Sequence, residues 1–550
     1  MRDSRITRRR VIQGAATVAA ASVIPGFVRS AEAQTTIVVT IPSLTEYDGY
    51  MPSNFVGLSY DKLVLNTPVY SDQNGSHRLI ESPALANFFA TANVQVLRLA
   101  DGSVTNWQQG GAGLTSGQIA PNDVHFLTQF LLLVGIAFGE LTPPSSSRCS
   151  CIYGINLGGT LAKSGTDPAP TTTGQAEAEM WQVNDDFSKA SPAVTLLGIE
   201  VGNEPDNYGG TYYSSYNPPA PLQGPWNQAN FEALWAKYAA AADPSGNMNI
   251  TGPAFGNGDN APWLISGFAN DWTSTYSKTV KGPLTLLTQH YYAGLQDSDF
   301  KYSKIGTTWY ETGSEPGLLT PYPSANLTNT ILNNLGKAKQ QNNLPNFRIS
   351  ECNSWDQGGY AGISDKYGAA LWAIDFMFTC ANYGCNGVNF HCGGPSATTY
   401  NPLPFSVNAG VLTLSAAPLY YGILLASMAG SGQMLKLNYT VNTYVTVFAV
   451  WIPGTTEYNF IINNKDDTSA YAVELSLPTG ATATNVTTIA LTTTAPSDPL
   501  GSAATNVYLQ GKQMTANGTL PNYTPTPISG GNSISVNIPL ASALLVRFNA

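Results

Sequence analysis

The chain has 550 residues and a net charge of −10. Hydrophobic residues make up 43% of it and charged residues only 11%, far below the quarter usual for soluble domains. The length admits two or three domains with a large core, while the acidic balance excludes nucleic acid and anionic membrane surfaces as partners, since both require a basic face.

Residues 1–33 read as a targeting segment. Consecutive arginines in "TRRRVIQG" precede a mildly apolar stretch, and "AEA" supplies a small-x-small cleavage site. This is the pattern of a twin-arginine-type bacterial export signal, with an ordinary secretory signal as the alternative. Its removal takes away six arginines and two acidic residues and leaves a net charge of −14. A periplasmic or secreted location follows, with no membrane association after cleavage. No other stretch is apolar for long enough to span a bilayer.

"TTIVVTI" (35–41) resembles the strands at the far end of the chain, so residues 34–50 are expected to add a strand to a C-terminal sandwich. From 51 to 430 short apolar runs alternate with helical stretches. The strand-like runs are 55–60, 94–100, 151–157, 194–202, 284–292, 347–351 and 387–391. Helical spacing marks 227–242 and 364–384. Alternation of this kind over some 380 residues predicts a parallel sheet closed into a (β/α)8 barrel. No glycine-rich nucleotide loop follows a strand, so no nucleotide cofactor is expected. Residues 431–550 change to Thr- and Val-rich runs separated by Gly, Pro and Asn turns, the signature of an antiparallel β-sandwich. The six cysteines lack C-x-x-C spacing and the four histidines are scattered, so no metal is expected. Four cysteines fall between 352 and 392, where one bridge is plausible.

The chemistry concentrates at two strand ends. "LLGIEVGNEP" ends with Asn203 and Glu204, and "NFRISECNSW" contains Glu351. In a barrel, both positions lie at the C-terminal rim. Two carboxyl groups facing one another there suit glycosidic cleavage, one as acid/base and one as nucleophile; at about 5 Å separation the outcome is retention. Glu204 could instead cap a loop, and Glu200 reads as a buried structural glutamate. His290 reads as structural or supporting, and His391 as closing the last strand near the site. Trp107, Trp263 and Trp355 could stack on sugar or fill the core, and the Tyr-rich run 209–221 could face substrate.

Together, "GNEP", "SE", "TQHYYAG", "SDKYGAALWAIDF" and "NFHCGG" resemble the heparanase and β-glucuronidase family, glycoside hydrolase family 79, over nearly the whole chain beyond the targeting segment. The resemblance implies an exo-acting retaining β-glucuronidase, monomeric and free of cofactors. It makes Glu204 the acid/base and Glu351 the nucleophile. It places Asp61, Ser103 and Asn203 on sugar hydroxyls, and Tyr291 on the nucleophile. Gly358, Gly359 and Tyr400 would hold the uronate carboxylate. Asp101-Gly102 departs from the family's Gly-Gly, and an ionised Asp356 would repel a uronate. Two other readings follow: the same mechanism on a neutral β-glycoside, or a non-catalytic glycan-binding barrel.

Overall fold

The computed structural model describes residues 36–66, 68–72, 75–100, 121–139, 148–155, 157, 173–205, 228–256, 284–294, 308–311, 317–320, 322–341, 343–393, 398–440, 442–495 and 497–550. The targeting segment, Ser103, Trp107, Trp263 and the run 209–221 lie outside them.

Eight parallel strands close into a barrel. In chain order they are β1 (Val56–Asp61), β2 (Val96–Ala100), β3 (Ser150–Ile155), β4 (Leu196–Val201), β5 (Ile250–Phe255), β6 (Leu284–Gly294), β7 (Asn346–Trp355) and β8 (Val388–His391). β8 returns to pair with β1. The strands are buried on both faces because helices pack outside and side chains fill the interior. This is the predicted fold class, with one strand that the runs above did not include. β5, "ITGPAF", carries Gly252-Pro253, a pair that reads as a turn from sequence. Gly198 of β4 makes room beside it, since a Cβ there would lie 2.0 Å from the Thr251 methyl.

The barrel interior changes character along its axis. Val96, Ile152 and Leu286 form an apolar plug. Near the N-terminal ends of the strands, Arg348 is buried with no carboxylate partner among the described residues. Its guanidinium donates to the Asn389 amide and to the carbonyls of Asn54, Phe55, Asn386 and Val388 at 2.5–3.4 Å. Burial draws its pKa down to about 10. Further along, β7 contains a one-residue irregularity. Ile349 pairs with Gln289 but Glu351 pairs with His290, leaving Ser350 as the extra residue. This offset lets Arg348 and Glu351, three positions apart, both point inward.

The β-sandwich is built from both ends of the described chain. One sheet orders Asn438–Tyr439, Thr36–Thr40, Tyr471–Ser476 and Ser533–Ile538. The other begins at Tyr47–Met51 and runs through Gly432–Leu435, Val445–Trp451, Glu457–Asn464, Ser542–Asn549 and Thr484–Thr493 to Val507–Leu509. Ile37, Val39, Val447, Phe460, Leu475, Ile534 and Phe548 are among the residues of their shared core. Ser533–Ile538 and Ser542–Asn549, close in sequence, lie in different sheets. Thr36–Thr40 is the exception to antiparallel pairing. It runs parallel to Tyr471–Ser476, as a strand arriving from a distant part of the chain can, because no hairpin dictates its direction.

A buried polar cluster joins sandwich to barrel. Asp375, on the helix Tyr367–Asn382 after β7, accepts from Lys465, Asn463 and Thr446 of the sandwich. Asn463 also donates to the Leu371 carbonyl at 2.9 Å. Among the described residues no helix is long and apolar enough to cross a membrane.

Candidate active site

Alternation along the strands aims Ser59, Arg98, Glu200, His290, Tyr292 and His391 into the barrel, and their contacts confirm that direction. Arg98 is the centre of the arrangement. It is 1% exposed, and a buried guanidinium must find anionic partners. Its Nε donates to Glu200 Oε2 at 2.6 Å and its Nη1 to Glu351 Oε2 at 2.6 Å. Nη1 also reaches Ser59 Oγ at 3.1 Å, and Nη2 donates to Asn203 Oδ1 at 2.7 Å. One side chain from β2 therefore fixes residues on β1, β4 and β7 and the amide just beyond β4.

Arg98 also sets a tautomer. Its Nη2 lies 3.1 Å from His290 Nε2. A guanidinium only donates, so in the neutral ring Nε2 accepts and the proton sits on Nδ1. That nitrogen lies 3.0 Å from Glu204 Oε1 and donates to it. Burial and the adjacent Arg98 lower the basicity of His290, but Glu351 and Glu204 outweigh them and draw the pKa above the ordinary value.

Glu204 itself sits just past β4 with φ +48°, a left-handed conformation uncommon for a residue with a Cβ. Its N–H donates to the Ala254 carbonyl of β5 at 2.9 Å, so a neighbouring strand holds the turn. Local strain of this kind is retained where surrounding structure over-determines it. The result leaves the Glu204 carboxyl a quarter exposed while its partner Glu351 is 10% exposed. Oxygen atoms of the two carboxyl groups lie within 4.8 Å of each other.

Glu351 is held as a carboxylate. Burial pushes its pKa up, but His391, His290 and Arg98, with a hydrogen bond from a tyrosine, drive it far below the usual carboxylate range. That tyrosine is Tyr292, whose Oη donates to Glu351 Oε1 at 2.6 Å. This corrects the expectation for Tyr291. Along β6 the residues that face the axis are His290 and Tyr292. Tyr291 turns outward, stacks on Phe376 with ring centroids 5.5 Å apart, and meets Ser324 Oγ at 3.2 Å. In "HYY" the motif alone does not say which phenol points inward; counting by two from His290 does.

Tyr292→Phe is expected to lower kcat about 10- to 100-fold, the worth of one hydrogen bond to a charged group. It should also move the acidic limb of the pH–rate profile upward, because the lost bond is one that lowers the Glu351 pKa. Tyr291→Phe should change neither quantity. Steady-state kinetics from pH 3 to 8 separates the two tyrosines.

The remaining expected residues fall at the same end of the barrel, with one further correction. Asp61 Oδ1 is 3.9 Å from His391 Nε2. Burial raises its pKa and Glu351 adds to this, while His391 and Arg98 oppose. The Tyr400 ring lies 6.1 Å from that of Tyr292 and 5.8 Å from His391. Gly358 and Gly359 have φ near +90° and pack against Thr399 and Tyr400, where a Cβ on Gly359 would come within 2.8 Å of Tyr400 N. The N–H of Gly359, however, donates to the Asp356 carbonyl at 2.8 Å. It closes its own turn and is not directed to a substrate carboxylate. Trp355 is 3% exposed and packs against Tyr360, so it belongs to the core beside the site. Ser103 lies outside the described residues.

Sequence reasoning missed Arg98 and Tyr292. The signal for Arg98 was present: an arginine inside the apolar strand "VLRLA" must be paired within the barrel. Glu204, His290 and Glu351 could each offer one atom to a metal ion. Arg98 already contacts two of them, so a second cation would meet a fixed positive charge.

Comparison with known proteins agrees with this architecture. No protein-family model matches the chain. A β-glucuronidase from Aspergillus niger is 26% identical over 132 residues, covering 21% of this chain and 24% of that protein; the chain thus spans about a quarter of the length of the curated relative it matches. Among solved structures, a 4-O-α-L-rhamnosyl-β-D-glucuronidase from Fusarium oxysporum superimposes with a TM-score of 0.62 at 16% identity, covering 93% of this chain and 99% of that one. An arabinofuranosidase of glycoside hydrolase family 51 from Xanthomonas axonopodis gives 0.59 at 11% identity, over 94% and 100%. A family 44 xyloglucanase from Paenibacillus polymyxa, solved with xyloglucan, gives 0.57 at 11%, again over 94% and 100%. These neighbours are glycoside hydrolases, and at such identities the likeness is one of fold.

Proposed function

We propose that the protein is an exported retaining β-glycosidase that removes terminal β-linked glucuronic acid. The observation that carries this reading is the approach of the Glu204 and Glu351 carboxyl oxygens to within 4.8 Å. Retaining enzymes place their carboxyl groups about 5–5.5 Å apart, whereas inverting ones need room for a water between them.

In this reading Glu351 attacks the anomeric carbon as a carboxylate. Arg98, Tyr292 and the two histidines keep it ionised and oriented. Glu204 protonates the departing oxygen, with His290 holding its other oxygen, and then takes a proton from the water that hydrolyses the glycosyl-enzyme. Asn203, its amide oriented by Arg98, is suited to the sugar 2-hydroxyl. Asp61 and Tyr400 flank the same space. The sugar identity is supported by the glucuronidases named above and by the resemblance in the sequence motifs. Export, and action as a monomer, belong to the same proposal.

A neutral β-glycoside is the second reading. Among the described residues, Glu200, Glu351, Glu204 and Asp61 crowd one end of the barrel around Arg98, and Gly359 gives its N–H to Asp356. A panel of p-nitrophenyl β-glucuronide, glucoside and galactoside, with product configuration followed by NMR, decides both questions. Preferred cleavage of the glucuronide with retention is expected. A neutral sugar turned over faster transfers the proposal to that sugar; inversion removes the double-displacement mechanism; and sugar binding with no turnover of any glycoside makes the barrel a binding protein.

A further inference from the structure

The helix Tyr367–Asn382 ends in a specific way. The N–H of Cys385 donates to the Cys380 carbonyl and that of Gly384 to the Ala381 carbonyl, both at 3.0 Å. Gly384 carries φ +78°. These are the paired bonds of a Schellman ending, in which the residue after the glycine folds back onto the side chain five positions earlier. In most helices that contact is between apolar groups. Here both positions are cysteines, both thiols are fully buried and free, and each shifts the ionisation of the other. A disulfide needs Cα atoms about 4.4–6.8 Å apart, and the bond from the Cys385 N–H to the Cys380 carbonyl holds the two backbones together.

The surroundings favour a thiolate on one side of the pair. Among the described residues, Arg348 donates to one amide oxygen and four carbonyls and makes no ion pair with a carboxylate. Its guanidinium lies against Gly387, two residues after Cys385; the Cys385 thiol itself donates to the Gly387 carbonyl at 3.1 Å, a bond given up on ionisation. Burial opposes ionisation of Cys385, but contacts with Cys380, the adjoining backbone and Arg348 outweigh it and lower its pKa. Burial raises that of Cys380. Access is one residue deep: Tyr383 is exposed, and Gly384 and Asn386 are half-buried.

We infer that Cys380 and Cys385 are a disulfide-forming pair, with Cys385 attacking and Cys380 resolving, which staples the end of this helix to the chain entering β8. The oxidant is a small-molecule disulfide. The Cys385 thiolate attacks one of its sulfurs and expels one thiolate, forming a mixed disulfide. Cys380 then loses its proton and attacks the Cys385 sulfur, expelling the second. The two protons from the cysteines end on the two released thiols, and one small disulfide is reduced for each protein disulfide formed. The inference stands on the helix ending and does not depend on the glycosidase reading.

The test treats the reduced full-length protein with oxidised glutathione and follows intact mass and non-reduced peptide maps. The expected product has lost two hydrogen atoms, carries no glutathione, and links the peptides containing residues 380 and 385. Its thermal midpoint should rise by about 2 °C, the scale for a short cross-linked loop in a chain of this length. Cys352→Ala should still form the bridge, and Cys385→Ala should not. A stable glutathione adduct, a link from Cys385 to Cys352, or thiols that remain unchanged while the denatured protein oxidises readily would each overturn the inference. The wild-type peptide map decides even if a cysteine variant fails to fold.

Discussion

Replacing Glu351 with Gln is expected to lower kcat by about 10⁵-fold, the scale seen when an enzyme loses its nucleophile. The fold should survive, because the amide is isosteric: its single oxygen can accept from Arg98, and its NH2 can donate to the Tyr292 phenol in place of the bond that the carboxylate accepted. Chemical rescue makes the assignment specific. Azide added to Glu351→Ala should attack the anomeric carbon from the vacated face and give a glycosyl azide of inverted configuration. Azide added to Glu204→Ala should act on the glycosyl-enzyme and give the retained product. NMR of the two products distinguishes nucleophile from acid/base. An unchanged rate for Glu351→Gln removes this carboxylate from the chemistry, and with it the proposed hydrolase.

Arg98→Met has the second large effect, and it reaches both stability and activity. The substitution leaves Glu200 and Glu351 buried without their shared cation. Breaking a buried ion pair by removing one partner costs about 3–5 kcal/mol, which urea unfolding at pH 7 would register. The sign with pH follows from the Glu351 shift. Its folded pKa lies below the unfolded value of 4.5, so it contributes stability above about pH 4.5, and this contribution is lost as the pH falls further. Without Arg98 the folded pKa rises. The wild-type stability advantage over the variant should therefore shrink below pH 4.5, and the acidic limb of kcat/KM should move to higher pH in the variant. A variant equally stable at pH 7, with an unmoved acidic limb, would show that Arg98 does not hold this carboxylate.

Much of this was legible in the residues. The alternation of runs announced the barrel, and the change to Thr- and Val-rich runs announced the sandwich. Glu204 and Glu351 stood out because each closes an apolar run with a charge. What was not legible has physical causes. β5 contains Gly and Pro, which local chemistry assigns to turns, and only closure of the barrel makes it a strand. Tyr291 and Tyr292 are adjacent and identical in type, so their roles depend on strand phase. The inward turn of Glu351 depends on Ser350 slipping out of register, a property of two strands together. Gly359 was expected to offer its N–H, but a turn whose closing bond is internal spends that donor on itself.

The strand Thr36–Thr40 carries a consequence for how the molecule comes into being. Its partner Ala472 lies about 440 positions downstream, and synthesis at about 5–20 residues per second delivers that partner only after roughly 20–90 s. Throughout that interval the segment Thr36–Thr40 offers an unpaired edge rich in β-branched residues, the kind of template that recruits foreign strands. Biogenesis therefore demands that something shield this segment until the last domain emerges, and a circularly rearranged chain that joins it directly to its neighbour should be less prone to aggregate on the ribosome.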